Sequence, residues 1–119
     1  MVIILNDISD VPVYQQIRNQ IVIGISDGRL QPGERLPTVR ALAEEIGINS
    51  MTVNKAYQLL KQEGYILTDK RNGARVREKF EGGKSLSGES RELLQRIISE
   101  AKIGGMSKEE FIRECEKYF

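Results

Sequence analysis

The stretch from Leu36 to Val76 constrains the fold of this chain more than any other part of its sequence. It reads LPTVRALAEEIGINSMTVNKAYQLLKQEGYILTDKRNGARV and begins with an amphipathic pattern that predicts a short helix. Thr38 is placed to cap that helix, and Gly47 is placed to end it, because glycine adopts a left-handed terminal conformation without strain. The apolar face of the helix comprises Val39, Leu42, Ala43 and Ile46.

A second helix is predicted after only a tight turn. Asn49 and Ser50 can cap its start, and Gly64 is placed to end it. Its apolar residues recur at helical spacing and are Val53, Ala56, Tyr57 and Leu60. Two short helices joined in this way predict a helix-turn-helix, in which the polar start of the second helix faces a partner.

A basic hairpin is predicted directly after the second helix. Residues 65–68 and 74–77 alternate between apolar and polar side chains, and Asn72-Gly73 between them is a strong turn signal. Such a hairpin beside a helix-turn-helix forms the wing of a winged helix. Residues 70–79 contain five basic side chains and one acidic one, so the wing is locally positive although the net charge of the chain is only +1.

An additional helix is predicted before this pattern. Its apolar residues Val13, Ile17, Ile21 and Ile25 recur every four positions after Pro12, and Gly28 is placed to end it.

The C-terminal part predicts a polar linker at 81–88 and then two helices around Gly104-Gly105, the second starting with a capping box from Ser107 to Glu110. Each helix has one apolar stripe, and two short helices bury little by themselves. We therefore predict that the stripes together form an apolar surface that needs another surface to cover it. Its residues are Leu93, Leu94, Ile97, Ile98, Ala101, Phe111, Ile112, Cys115 and Tyr118.

These patterns predict a mainly α protein of the α+β class. Residues 1–80 are expected to form an N-terminal winged helix-turn-helix with a two-stranded wing. Residues 81–119 are expected to form a linker and a small C-terminal two-helix hairpin.

The composition excludes several classes of function. The chain has no histidine and one cysteine, so it lacks the residues of a zinc finger, a multi-cysteine metal site or a histidine-based catalytic centre. No nucleophile, base and orienting partner occur together, so we expect no catalytic residue, no metal and no cofactor. No run of apolar residues could span a bilayer and no secretory signal is visible, so we expect a cytoplasmic protein without a membrane partner.

The pattern instead predicts binding to double-stranded DNA. In a DNA-bound helix-turn-helix the second helix lies in the major groove, and its first turns contact the bases. Asn54 suits adenine, Met51 suits a thymine methyl group, and Thr52 and Lys55 suit phosphates. The predicted DNA-binding residues are Arg35, Thr38, Arg40, Ser50, Met51, Thr52, Asn54, Lys55, Lys70, Arg71, Asn72, Gly73 and Arg75.

Other interpretations stay open on the residues alone. The winged helix could be a protein-interaction module without DNA binding, and the tail could hold a small-molecule effector of unknown identity. Arg40 could simply pair with Glu44 one helical turn away. Tyr14 and Tyr57 are expected in the core, and Cys115 is expected to be a buried thiol.

The N-terminal part resembles the DNA-binding domain of GntR-type bacterial transcription regulators. The resemblance rests on VYQQI at 13–17, GRLQPGERLP at 28–37, VRALA at 39–43, TVNKAY at 52–57 and EGY at 63–65. The short tail, with AKIGGMS at 101–107, is similar to that of the YtrA-like subfamily.

This resemblance implies a transcription regulator that acts as a homodimer on a palindromic operator. It also implies that residues 81–119 are a linker and a two-helix dimerisation tail, with the apolar stripes as the dimerisation surface. YtrA-like members are commonly repressors of an operon that encodes a transporter. The resemblance also implies that Arg40 contacts DNA and that Gly73 forms the tip of the wing. Several relatives have arginines where this chain has Ser50 and Asn54, and its wing has Asn72-Gly73-Ala74 in place of the common Gly-x-Gly.

Overall fold

The computed structural model describes residues 1–71 and 73–119 and divides the chain into two units, Met1–Phe80 and Glu81–Phe119. The first unit contains α1 (Val13–Ser26), α2 (Val39–Ile46), α3 (Ser50–Gln62), β1 (Ile66–Asp69) and β2 (Gly73–Val76). The second contains α4 (Gly88–Ile103) and α5 (Lys108–Glu116). This order of elements confirms the predicted winged helix-turn-helix and the two C-terminal helices. Across the described ranges, no helix is long and apolar enough to cross a membrane.

The core of the first unit is built from the apolar faces that the sequence pattern indicated. Helix α3 packs against α1, α2 and β1. Burying one large aliphatic side chain stabilises a fold by about 1.5–3 kcal/mol, so this cluster supplies the main driving force. Its most deeply buried large side chains are Ile17, Ile21, Leu42, Val53, Leu60, Ile66 and Val76.

The ends of α2 and α3 are fixed by the residues that the sequence assigned to them. The Thr38 hydroxyl accepts a hydrogen bond from the Ala41 amide at 3.0 Å, and Gly47 ends α2 with φ +70°. The Asn49 side chain accepts from the Met51 amide at 2.8 Å and so caps α3. Ser50 is the first residue of α3 rather than its cap, which leaves its side chain exposed.

The strands of the wing are shifted by one residue from the prediction. Ile66 pairs with Val76, and Asp69 pairs with Gly73, so each strand lies one residue closer to the turn than expected. Gly73 has φ +68°, as expected of the turn glycine. The other predicted turn residue, Asn72, lies outside the described residues.

A further segment, which the sequence did not reveal, pairs with β2. The Leu36 amide donates to the Ala74 carbonyl at 2.9 Å, and the Val76 amide donates to the Glu34 carbonyl at 2.8 Å. This antiparallel pairing is centred on Arg35 and Arg75. It ties the wing to the segment that leads directly into α2.

The N-terminal segment is held by two glutamine side chains of α1. Gln16 accepts from the Asn6 amide at 2.8 Å and donates to the Asn6 carbonyl at 3.0 Å. Gln20 accepts from the Ile4 amide at 2.9 Å and donates to its carbonyl. Side-chain amides thus bind the backbone of this segment as a neighbouring strand would.

The second unit has well-formed helix ends but buries no residue within its own two helices. Ser87 caps α4, and the predicted capping box between Ser107 and Glu110 is present at the start of α5. Cys115 is half-buried rather than buried, contrary to the prediction, because this unit alone does not cover the apolar face of α5.

Candidate nucleic-acid interface

A cleft of about 510 Å³ lies between α3, the start of α2 and the wing. Helix α3 contributes Asn54, Tyr57 and Gln58 to one wall. The remaining walls come from the segment before α2 and from both sides of the wing turn. Their residues are Arg35, Leu36, Thr38, Val39, Thr68, Asp69, Lys70, Arg71, Gly73 and Ala74.

The start of α3 presents the polar surface that a recognition helix needs. Ser50, Met51, Asn54 and Lys55 are all exposed, whereas Val53, Ala56, Tyr57 and Leu60 on the opposite face are buried. Met51 is 76% exposed, so its side chain is accessible to another molecule. Thr52 is half-buried at the side of the helix.

Thr38 has a structural role as well as its predicted DNA contact. Its oxygen caps α2 by accepting from Ala41, and its hydroxyl hydrogen can still be donated to an acceptor in the cleft. Nearby, the Tyr57 hydroxyl donates to the Pro37 carbonyl at 2.7 Å and pins α3 to the start of α2. Burial, and then the negative charge of Glu45, raise the pKa of the Tyr57 phenol, so Tyr57 remains a protonated donor.

The wing concentrates positive charge beside α3. Lys70 and Arg71 are exposed at the turn, and the Asp69 side chain accepts from the Arg71 amide at 2.8 Å, which stabilises that turn. Arg75 lies directly opposite Arg35 in the antiparallel pairing. This pairing brings two basic residues to neighbouring backbone positions beside the cleft.

The cleft brings together only part of the predicted DNA-binding set. Its lining includes Arg35, Thr38, Asn54, Lys70, Arg71 and Gly73. Among the described residues, the others lie on the surface outside the cleft and are Arg40, Ser50, Met51, Thr52, Lys55 and Arg75. The alternative in which Arg40 pairs with Glu44 is not observed among the ion pairs of the described residues.

Two features of this surface were missed by sequence reasoning. Gln58 lines the cleft one turn beyond Asn54, and this spacing of four residues could have revealed it. The Lys55 ammonium lies 4.1 Å from the centroid of the Tyr14 ring. Tyr14 was expected in the core, but it is only half-buried, and no local pattern indicates a contact with α3.

Comparison with models of protein families shows which family the chain resembles. The model described as "Bacterial regulatory proteins, gntR family" matches residues 13–76, which include α1, the helix-turn-helix and the wing.

Several curated relatives share this region or more of the chain. The regulator YhcF of Bacillus subtilis strain 168 is 31% identical over 111 residues, which cover 92% of each chain. The repressor YtrA of the same strain is 35% identical over 114 residues, which cover 89% of this chain and 85% of YtrA. YdeL, also from that strain, is 41% identical over 69 residues, and the chain spans only 15% of its length.

Solved structures agree with this comparison. A transcriptional antiterminator from Listeria monocytogenes EGD-e matches with a TM-score of 0.85 and 31% identity, covering 99% of this chain and 90% of that one. YtrA from Sulfolobus acidocaldarius matches with a TM-score of 0.66 and 36% identity, and the match covers 87% of this chain and 99% of that one. The AraR DNA-binding domain in complex with operator ORX1 matches with a TM-score of 0.54 and 25% identity, and the match covers 61% of this chain and 90% of that one.

Proposed function

The chain belongs to the gntR family of bacterial regulatory proteins and is a YtrA-like, DNA-binding transcriptional regulator, and we propose that it represses transcription as a homodimer on a palindromic operator. Its relatives are transcriptional regulators and not enzymes. Because its partner is operator DNA, we place its action in the cytoplasm.

The observation that carries this proposal is the position of the polar face of α3 beside the basic wing. Asn54 lines the cleft from α3, while Lys70 and Arg71 line it from the wing. A helix in the major groove reads base edges, and flanking cations fix its register on the phosphates. This surface therefore suits both parts of DNA recognition.

DNA binding through this surface is tested by fluorescence anisotropy on a labelled duplex of mixed sequence and on a duplex selected from a random pool. Arg71→Ala should weaken binding to both duplexes and should reduce the slope of log affinity against log salt by about 0.9, the value for one lost phosphate contact. Asn54→Ala should cost about 1–3 kcal/mol on the selected duplex only.

The matched control is Lys84→Ala, which removes one exposed positive charge from the linker. It should leave both affinities and the salt slope unchanged. If Arg71→Ala and Lys84→Ala behaved alike, or if binding did not depend on salt, the winged helix would be a protein-interaction module instead.

The proposed homodimer is supported by the apolar stripe of α4. Leu93, Leu94, Ile97 and Ile98 are all more than one-third exposed, although they lie on one side of the helix. Such a stripe favours burial against another surface, and a second copy supplies a self-complementary one. A twofold dimer would place two recognition helices about 34 Å apart, one turn of DNA, and so requires a palindromic site.

Sedimentation of two glutamate variants tests the dimer. Ile97→Glu introduces a charge into the stripe and should convert the dimer into monomers, because a buried unpaired charge costs about 3–5 kcal/mol. Ile103→Glu is the control, since Ile103 is 88% exposed and lies on the other side of α4. A wild-type chain that sediments as a monomer at all concentrations would contradict the proposal.

The regulated genes are proposed by family resemblance. YtrA of Bacillus subtilis is named a transcriptional repressor, and we propose that this chain likewise represses an operon encoding a transporter. Transcript levels of the neighbouring genes should rise when the gene is deleted, and footprinting should protect an inverted repeat in their promoter. Lower transcript levels in the deletion strain would instead identify an activator.

A further inference from the structure

Lys55 of the recognition helix is held by a residue that lies outside the helix-turn-helix. Its ammonium nitrogen is 4.1 Å from the centroid of the Tyr14 ring, well within the range of a cation–π contact. Tyr14 is the second residue of α1, and it is half-buried where it packs against the core. The ring is therefore anchored by the fold, whereas Lys55 is exposed.

A neutral ring orients the ammonium without neutralising it. In the part of the chain that the structure describes, no carboxylate forms an ion pair with Lys55. A carboxylate partner would compete with a phosphate for the charge, whereas an aromatic face occupies only one side of the ammonium. The other side can still donate hydrogen bonds to an anionic oxygen.

The position of Lys55 on α3 complements that of the wing. Asn54 and Gln58 line the cleft shared with the wing, while Lys55 contacts α1 on the other flank of the exposed face. A duplex whose major groove receives α3 has one phosphate strand on each side of the helix. The basic wing is placed for one strand, and Lys55 is placed for the other.

We propose that Tyr14 is a positioning residue of the DNA interface, whose ring holds the Lys55 ammonium in place for the phosphate strand on the side of α3 away from the wing. This inference rests on the proposed binding of DNA through α3. A free lysine side chain loses rotamer freedom when it binds, and a lysine that is already ordered loses less. Tyr14 thus raises affinity without contacting DNA.

A double-mutant cycle tests this role on a labelled mixed-sequence duplex of about 30 base pairs, a length that spans more than two helical turns. A mixed sequence suffices because a phosphate contact does not depend on the base sequence. Tyr14→Leu should weaken binding about two- to tenfold, the factor that corresponds to ordering one long, flexible side chain on binding. Tyr14→Phe keeps the ring and should bind like the wild type.

The background of Lys55→Ala separates positioning from a general structural role. Lys55 is exposed, so its removal leaves the core unchanged. In that background Tyr14→Leu should have no further effect on affinity. If Tyr14→Leu weakened binding equally in both backgrounds, or if Tyr14→Phe bound as weakly as Tyr14→Leu, Tyr14 would act by itself and the inference would be wrong.

A measurement without DNA keeps the inference testable if Tyr14→Leu fails to fold or if DNA binding is absent. In the NMR spectrum of the wild-type chain, the ring current of Tyr14 should shift the methylene protons next to the Lys55 ammonium upfield, and Tyr14→Phe should preserve the shift. Ordinary lysine shifts for these protons would overturn the inference. Absence of DNA binding in the wild type, with the upfield shift present, would overturn the proposed function instead.

Discussion

The two units of this chain have equally good helix signals but very different burial. In the first unit, Thr38 and Asn49 cap helices whose apolar faces form a shared core. In the second unit, Ser87 and Ser107 cap helices that bury no residue within the unit. The comparison teaches that capping and periodicity fix where a helix lies along the chain, while the stability of the helix depends on what covers its apolar face.

The largest expected difference concerns leucines of the two units. Leu42 is fully buried, so Leu42→Ala should lower the free energy of unfolding of the first unit by about 2–5 kcal/mol. Leu94→Ala should change that free energy by less than about 0.5 kcal/mol and should instead weaken self-association. Urea unfolding followed by tyrosine fluorescence reports mainly the first unit, which holds three of the four tyrosines, Tyr14, Tyr57 and Tyr65. The fourth, Tyr118, lies in the second unit and is already 81% exposed in the folded chain. If both variants lowered the free energy of unfolding of the first unit equally, the contrast between the two units would be wrong.

A smaller difference is expected for the caps. Asn49→Ala and Ser107→Ala each remove one capping hydrogen bond, worth about 1 kcal/mol. Asn49→Ala should lower the free energy of unfolding of the first unit, measured in urea. Ser107→Ala should lower the helicity measured by circular dichroism. Ser99→Ala is the control, because Ser99 lies inside α4 and donates to the Gln95 carbonyl instead of capping. A loss of helicity in this control would show that the circular dichroism change is not specific to the cap.

Ion pairs should differ still less between the units. Arg18 and Glu63 form two hydrogen bonds of 2.8 and 3.0 Å and are mostly covered, so Glu63→Gln should cost about 0.5–1 kcal/mol in the unfolding of the first unit. Lys117 and Glu114 form one exposed bond, so Glu114→Gln should change neither helicity nor stability measurably. A measurable effect of Glu114→Gln would show that α5 is covered in solution.

The smallest effects concern the pH dependence of two exposed pairs. Hydrogen bonds from the Arg29 side chain and amide lower the pKa of Asp27 below 3.8. The charged pair therefore stabilises the fold above pH 3.8, and this stabilisation is lost as the pH falls through the lowered pKa. A hydrogen bond to Glu114, and then its charge, raise the pKa of Lys117 above 10.5, so its contribution is lost at high pH. Thermal melts of Asp27→Asn should differ slightly from those of the wild type only above the lowered pKa of Asp27, where the wild-type carboxylate is charged. Melts of Lys117→Gln should match the wild type at every pH, because the pair with Glu114 is exposed and contributes no measurable stability.

The elements of the fold could be predicted from the sequence because their signals are local. Thr38, Gly47 and Asn49 mark helix ends through bonds or conformations that involve only a few neighbouring residues. The exposed residues at the start of α3 follow from the same periodicity. Strand ends were predicted one residue away from their positions, because the pairing of Asp69 with Gly73 depends on the geometry of the whole hairpin.

The missed features join residues that are distant in the sequence. Tyr14 meets Lys55 only because α1 packs on α3, and Gln16 binds Asn6 only because the N-terminal segment runs back along α1. No periodicity reports such contacts. The half-burial of Cys115 was also missed, since the sequence shows an apolar face but not what covers it.

The pairing of Leu36 with Ala74 has a consequence for the order in which the protein forms. The two residues lie on either side of α2, α3 and β1, so their hydrogen bond closes a long loop, whose entropy must be lost before the bond is gained. The local turns of α2 and α3 form without that cost. During synthesis, the wing can join the segment before α2 only after Val76 has left the ribosome, so the cleft between α3 and the wing is completed after the helices that form its other walls.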